Sequence, residues 1–126
     1  LFPVLRTSWG GVCRARNNRR GWVPATGIGD ALERGVVGLY RLRRQRAMDL
    51  LYVGEGKIRD RIRAHLKKAA LPDHPQAQAF ADPEGVEVSF VIRPDLLRHH
   101  RLEIENDMIG AHVLEFDRAP GGQFLG

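Results

Sequence analysis

The chain has 126 residues, a formal net charge of +5, 43% hydrophobic and 28% charged side chains, which suits one globular domain with a modest core. No apolar run nears the ~18 residues that cross a bilayer, and no leader pattern of charge, apolar core and small residues opens the chain. The lone cysteine, Cys13, excludes an intramolecular disulfide and argues against a cysteine-based zinc site, so a cytoplasmic setting is expected.

The charge is unevenly placed. Residues 1–36 carry six basic and two acidic side chains, residues 37–68 ten and three, and residues 69–126 four and ten, for nets of +4, +7 and −6. Such asymmetry suggests one surface that faces a polyanion.

Residues 1–34 read as an irregular basic arm, punctuated by Gly, Asn and Pro, with Trp9 and Trp22 capping the edge of the core. Residues 35–126 read as the folded domain. TGIGD and GEGKIR both fail the dinucleotide fingerprint, carrying Leu32 and Arg59 where its last glycine belongs. VVGLYRL and LLYVG have strand character, and the polar RRQRAMD between them predicts a hairpin closing near Arg46. That closure sets Tyr40 and Tyr52 roughly opposite each other, with Gly38 and Gly54 leaving room beside the rings.

KIRDRIRAHLKKAA reads as a helix with Ile58, Ile62, Leu66 and Ala69 as its buried stripe. Arg61 and His65, four residues apart, share the shoulder of that stripe, while Arg59, Arg63 and Lys67 form a row toward solvent. LPDHPQAQAFADPEG is a long proline-rich loop with a helical turn around QAQAFA. VEVSFVI is a largely buried third strand. A second helix is expected after Pro94, with Asp95 as its N-cap, running to about Phe116. The fold class is therefore α/β of the α+β kind: a small three-stranded antiparallel sheet flanked by helices in the order β-β-α-β-α.

Glu105 stands out on that helix, between the apolar rows Leu97–Ile104–Met108–Ala111 and Leu102–Ile109–Val113. A carboxylate facing the sheet requires a cation, a metal or a water-filled cleft, and Arg101, one turn earlier, is the alternative that would make it merely structural. Glu103 and Asp107 point to the polar side. His112 shares a face with Glu105 and reads as a satisfied core histidine, and His99 and His100 as exposed.

Taken in order, GLY at Gly38–Tyr40, YVG at Tyr52–Gly54, an Arg and a His on the next helix, and LEIENDMIGAH around Glu105 resemble the GIY-YIG nuclease family. The likeness spans about residues 35–124. It implies a metal-dependent endonuclease that hydrolyses DNA phosphodiester bonds, with Tyr40, Tyr52, Arg61, His65 and Glu105 as its catalytic set and Glu105 as the ligand of Mg²⁺ or Mn²⁺. Lys57, Arg59 and Arg63 would bind substrate phosphates, on DNA or RNA, without reading bases. The segment from Gly54 to Arg61 is one residue shorter than is usual in the family, which leaves Arg59 and Arg63 open as counterparts of Arg61. Gln123 is the nearest amide to the family's late asparagine.

The chemistry suits these residue types. Phosphodiester hydrolysis must activate water, neutralise the phosphoryl oxygens and release the leaving oxygen. Arg61 offers a planar donor fork. A phenol such as Tyr40 becomes a base near neutral pH only if cations lower its pKa from ~10, and Arg61, His65 and Lys57 are the candidates. The alternatives are a catalytically silent nucleic-acid-binding module of the same fold, and cross-strand tyrosine packing with no chemistry.

Overall fold

The computed structural model describes residues 21–123. Along them run a two-residue strand β1 (Val23–Pro24), one helical turn α1 (Ile28–Ala31), strand β2 (Val37–Arg44), strand β3 (Tyr52–Lys57), helix α2 (Ile58–Lys67), strand β4 (Val86–Ile92) and helix α3 (Arg98–Phe116). From β2 onward the order is β-β-α-β-α, in a mixed α+β fold.

The sheet is antiparallel throughout and has four strands in the order β1-β4-β2-β3, not three. The extra strand comes from the stretch read as an irregular arm: Val23 pairs with Val88 and Pro24 with Glu87. Two residues are too short to show alternation, and proline is admissible here because β1 is an edge strand. Residues 21–34 also build the core, since Trp22, Ala25, Ile28 and Leu32 are buried. The guanidinium carbons of Arg41 and Arg43 lie 4.9 and 4.1 Å from the Trp22 ring, a cation–π cover for the edge of the core. Trp9 lies outside the described residues.

Strand alternation sorts the core onto two faces. Tyr40, Leu42, Val88 and Phe90 meet Ile58 and Ile62 of α2 on one face, and Leu39 and Val91 meet Ile104 of α3 on the other. Leu66 and Ala69 of the expected α2 stripe are only partly buried, and His65 takes the buried place beside them. The loop 71–82 contains the expected turn, closed by Phe80 N–H to the Gln76 carbonyl at 3.2 Å. Phe80 is fully buried; an apolar side chain removed from water contributes about 1.5–3 kcal/mol, which adds to the Lys68–Gln76 and Gln76–Gly122 hydrogen bonds that hold this loop on the α2 face.

Asp95 does not cap α3. The helix starts three residues later at Arg98, with Leu97 at the N-cap and no side-chain cap. Asp95 is drawn away by Arg93, which donates to it from Nε at 3.0 Å and Nη2 at 2.8 Å. At the other end Asp117, at φ 60°, closes the helix through its N–H to the Val113 carbonyl. The chain then returns to the hairpin, where Gly121 and Gly122 donate to the carbonyls of Leu50 and Leu51. Among the described residues no helix is long and apolar enough to cross a membrane.

Candidate active site

The hairpin turns at Arg46, whose φ of 67° lies in the left-handed region. Its register pairs Tyr40 with Gly54 and Leu42 with Tyr52, so the tyrosines are diagonal neighbours on the α2 face. Their rings stack with centroids 6.2 Å apart and an interplanar angle of 16°. Gly54 is required by this packing: a Cβ there would fall 2.3 Å from the Tyr40 hydroxyl oxygen and Cζ. Gly38 instead faces backbone, where a Cβ would meet the Val91 carbonyl.

Helix α2 follows β3 without a loop, which carries Arg61 and His65 back over the tyrosines. The His65 Nε2 lies 2.8 Å from the Tyr40 oxygen, and Arg61 donates to the same oxygen through Nε at 3.4 Å. Among the three candidate helix arginines only Arg61 makes this contact. Arg59 and Arg63 instead lie over Gly29 of α1, where a Cβ would come within 2.7 Å of Arg63 Nη2 and 3.4 Å of Arg59 Nη2. The His65 ring is held between Tyr52, 4.2 Å away at 52°, and Phe80, 5.2 Å away at 20°.

Burial decides the charge states. It pushes the Tyr40 phenol above the ordinary range of tyrosine, and the Arg61 hydrogen bond and charge only partly oppose it. Tyr52 is raised for the same first reason. His65 is lowered from 6.5 to about 3 by burial, then by the charges of Lys68 and Arg61. His65 is thus a neutral imidazole, and it is not the cation expected to make Tyr40 acidic.

Glu105 projects from α3, half-buried. Arg101 is not its partner: Arg101 binds Glu55 of β3 through Nε at 3.0 Å and the Leu96 carbonyl at 2.7 Å. Among the described residues Glu105 has no ion pair. Its charge nonetheless raises the pKa of both Tyr40 and Tyr52. Glu105 is itself raised, first by burial and then by Glu55, against the attraction of Arg61 and Arg98. No group of three His, Cys, Asp or Glu side chains placed to hold a metal occurs among the described residues. The donor set that fits is one free carboxylate completed by water, which magnesium accepts and zinc sites rarely use.

Beside Arg61 and His65 opens a groove of about 330 Å³ lined by Lys57, Asp60, Arg61, Ala64, His65 and Lys68. Lys57 is exposed there, and Arg59 and Arg63 do not line it. His112 is the satisfied histidine expected: its Nε2 accepts from Leu50 N–H at 2.9 Å and its Nδ1 donates to the Arg118 carbonyl at 2.8 Å. Gln123 pairs with both backbone groups of Val53, at 3.0 and 3.1 Å, so its amide extends the edge of β3. His99 and His100 are exposed, as expected.

Four residues around the site were not anticipated from the sequence: Glu55, Lys68, Gln76 and Phe80. For Glu55 a signal existed, because strand alternation puts it on the same face as Val53, opposite Tyr52 and Gly54. Lys68 donates to Gln76 Oε1 at 2.6 Å and lies 3.0 Å from His65 Nδ1. Gln76 and Phe80 sit in a loop with no periodic pattern to mark them. No protein-family model, curated protein or solved structure matches the chain.

Proposed function

We propose that the chain is a metal-dependent endonuclease that hydrolyses DNA phosphodiester bonds, of the GIY-YIG type its motifs resemble. The observation that carries this reading is Glu105. It is a half-buried carboxylate with no cation paired to it among the described residues, on a helix across the sheet from α2, yet its charge bears on both tyrosines and on Arg61. An acid kept for fold stability would hold a guanidinium, as Glu55 does.

In this reading Glu105 and waters hold Mg²⁺ or Mn²⁺. The ion would supply positive charge for the phosphoryl and leaving oxygens. Arg61 donates to Tyr40 through Nε and also acts on the Tyr52 phenol by hydrogen bond and charge; the rest of its planar fork is what a phosphate oxygen would engage. Its 3.4 Å bond is long and is the contact over Tyr40 that yields when a phosphate draws the guanidinium outward. Tyr40 is a protonated phenol at rest, so its hydroxyl orients the attacking water. It becomes a base only once further positive charge stands beside it. Tyr52 stacks behind it and holds the ring in place. Lys57 and Lys68, with Arg61, line the groove that would receive the phosphodiester backbone, an attachment without base reading.

The burial of Tyr40 favours a second reading, a catalytically silent nucleic-acid-binding module. The test is cleavage of supercoiled plasmid by the purified protein with Mg²⁺, with Mn²⁺ and with a chelator, with single-stranded DNA and RNA as competing substrates. Nicking that requires the metal is expected. Salt-sensitive binding without nicking would leave the binding module standing in its place.

A further inference from the structure

We propose that Lys68 and Gln76 are positioning residues that fix His65 as its Nε2–H tautomer, so that it donates to the Tyr40 oxygen and leaves the Tyr40 proton free. The catalytic consequence rests on the nuclease reading; the tautomer itself does not.

The direction of each hydrogen bond follows from the one before it. The chain starts at the Gly122 carbonyl, which can only accept, so the group of Gln76 that meets it is the amide nitrogen Nε2. The other end of that amide, Oε1, can only accept, and it takes a hydrogen from Lys68 Nζ at 2.6 Å. Burial and the charge of Arg61 lower the Lys68 amine; as an ammonium it has three hydrogens and no lone pair. Its 3.0 Å contact with His65 Nδ1 therefore requires a bare Nδ1, and the single ring hydrogen of a neutral imidazole must sit on Nε2. At 2.8 Å from the Tyr40 oxygen, Nε2–H donates to it. Burial and the charges of Lys68 and Arg61 keep this imidazole neutral, and the Tyr52 and Phe80 rings on either side resist a flip.

This direction decides what Tyr40 can do. Its oxygen receives Nε2–H of His65 and Nε–H of Arg61, so both lone pairs are used and the phenol hydrogen points to neither. Tyr40 is fully buried, so its hydrogen meets a water only once Arg61 has moved outward; with the opposite tautomer, a bare Nε2 would take that hydrogen and nothing would be left to offer. His112 takes the opposite form, Nδ1–H, because it accepts from Leu50 N–H at Nε2 and donates to the Arg118 carbonyl from Nδ1. The protein thus carries two buried histidines of opposite tautomer, one set by Lys68 and one by backbone.

Nitrogen NMR of the protein labelled with ¹⁵N-histidine, without DNA or metal, reads each tautomer directly, with His65→Gln and His112→Gln variants for assignment. The expected wild-type spectrum shows a pyrrole-type Nε2 and a pyridine-type Nδ1 for His65, and the reverse for His112. Lys68→Met should shift His65 toward Nδ1–H, and Lys68→Arg, which keeps a donor, should retain the wild-type form. Cleavage by Lys68→Met should fall about 10- to 100-fold in kcat, the scale known for partners that orient metal-bound histidines. A wild-type His65 protonated on Nδ1, an unchanged tautomer in Lys68→Met, or a switched tautomer with an unchanged kcat would each overturn the proposal. Absence of cleavage in the wild-type protein would count against the nuclease reading, and the spectra would still decide the tautomer.

Discussion

At the scale of single residues, His65 ties stability to pH. Its pKa is lowered from 6.5 to about 3 in the folded chain, first by burial. Above pH 6.5 both folded and unfolded forms are neutral, and the residue's contribution is complete. As pH falls from 6.5 toward 3, the unfolded chain binds a proton that the folded chain refuses. Stability is then lost at up to about 1.4 kcal/mol per pH unit from this group. Urea unfolding measured across that window should show a steeper decline for wild type than for His65→Gln. Parallel curves would mean that His65 is not held neutral. Residues of this kind were partly legible in advance: helical spacing put Arg61 and His65 on one shoulder, and the hairpin put the tyrosines on one face. What spacing could not show was the sign of the effect on Tyr40. Burial outweighs the neighbouring guanidinium, and burial is a property of the packed molecule.

At the scale of elements, the Glu55–Arg101 pair fastens α3 to β3. Both side chains are largely buried, at 9% and 13% exposure, and Arg98 reaches Glu55 only at 3.9 Å. Arg101→Leu would strand the Glu55 carboxylate, which should cost about 3–5 kcal/mol in urea unfolding. Adding Glu55→Gln should recover much of that loss. A single-variant loss below about 1 kcal/mol would place the pair with ordinary surface bridges. Here the sequence left the partner of Glu105 open for a physical reason. Arg101 and Glu105 are one helical turn apart and make a plausible local pair, but the strand supplies a better-buried acceptor from 46 residues away. The same competition moved the start of α3, because Arg93 holds Asp95 in a two-point bridge. The two-residue β1 and the buried Gln76 and Phe80 left no periodic trace; each is placed by contacts distant in sequence, Gln76 by the Gly122 carbonyl.

At the scale of the whole molecule, the two long helices differ in charge. The strongly basic α2 lies over one face of the sheet and the more acidic α3 over the other. Tyr40 and Tyr52 of the hairpin gather with Arg61 and His65 of α2 on one face, and Glu105 of α3, on the other, reaches the tyrosines through its charge. The elements from β2 onward were legible because their patterns are periodic and long. That Glu105 is not paired with Arg101 was visible only once the fold was complete. Replacing Glu105 with alanine therefore tests the central claim most directly, with the fold checked by circular dichroism and binding to duplex DNA measured alongside. The account predicts loss of metal-dependent cleavage by at least about 10²-fold, with DNA binding largely retained. Cleavage at the wild-type rate by the folded variant would contradict it.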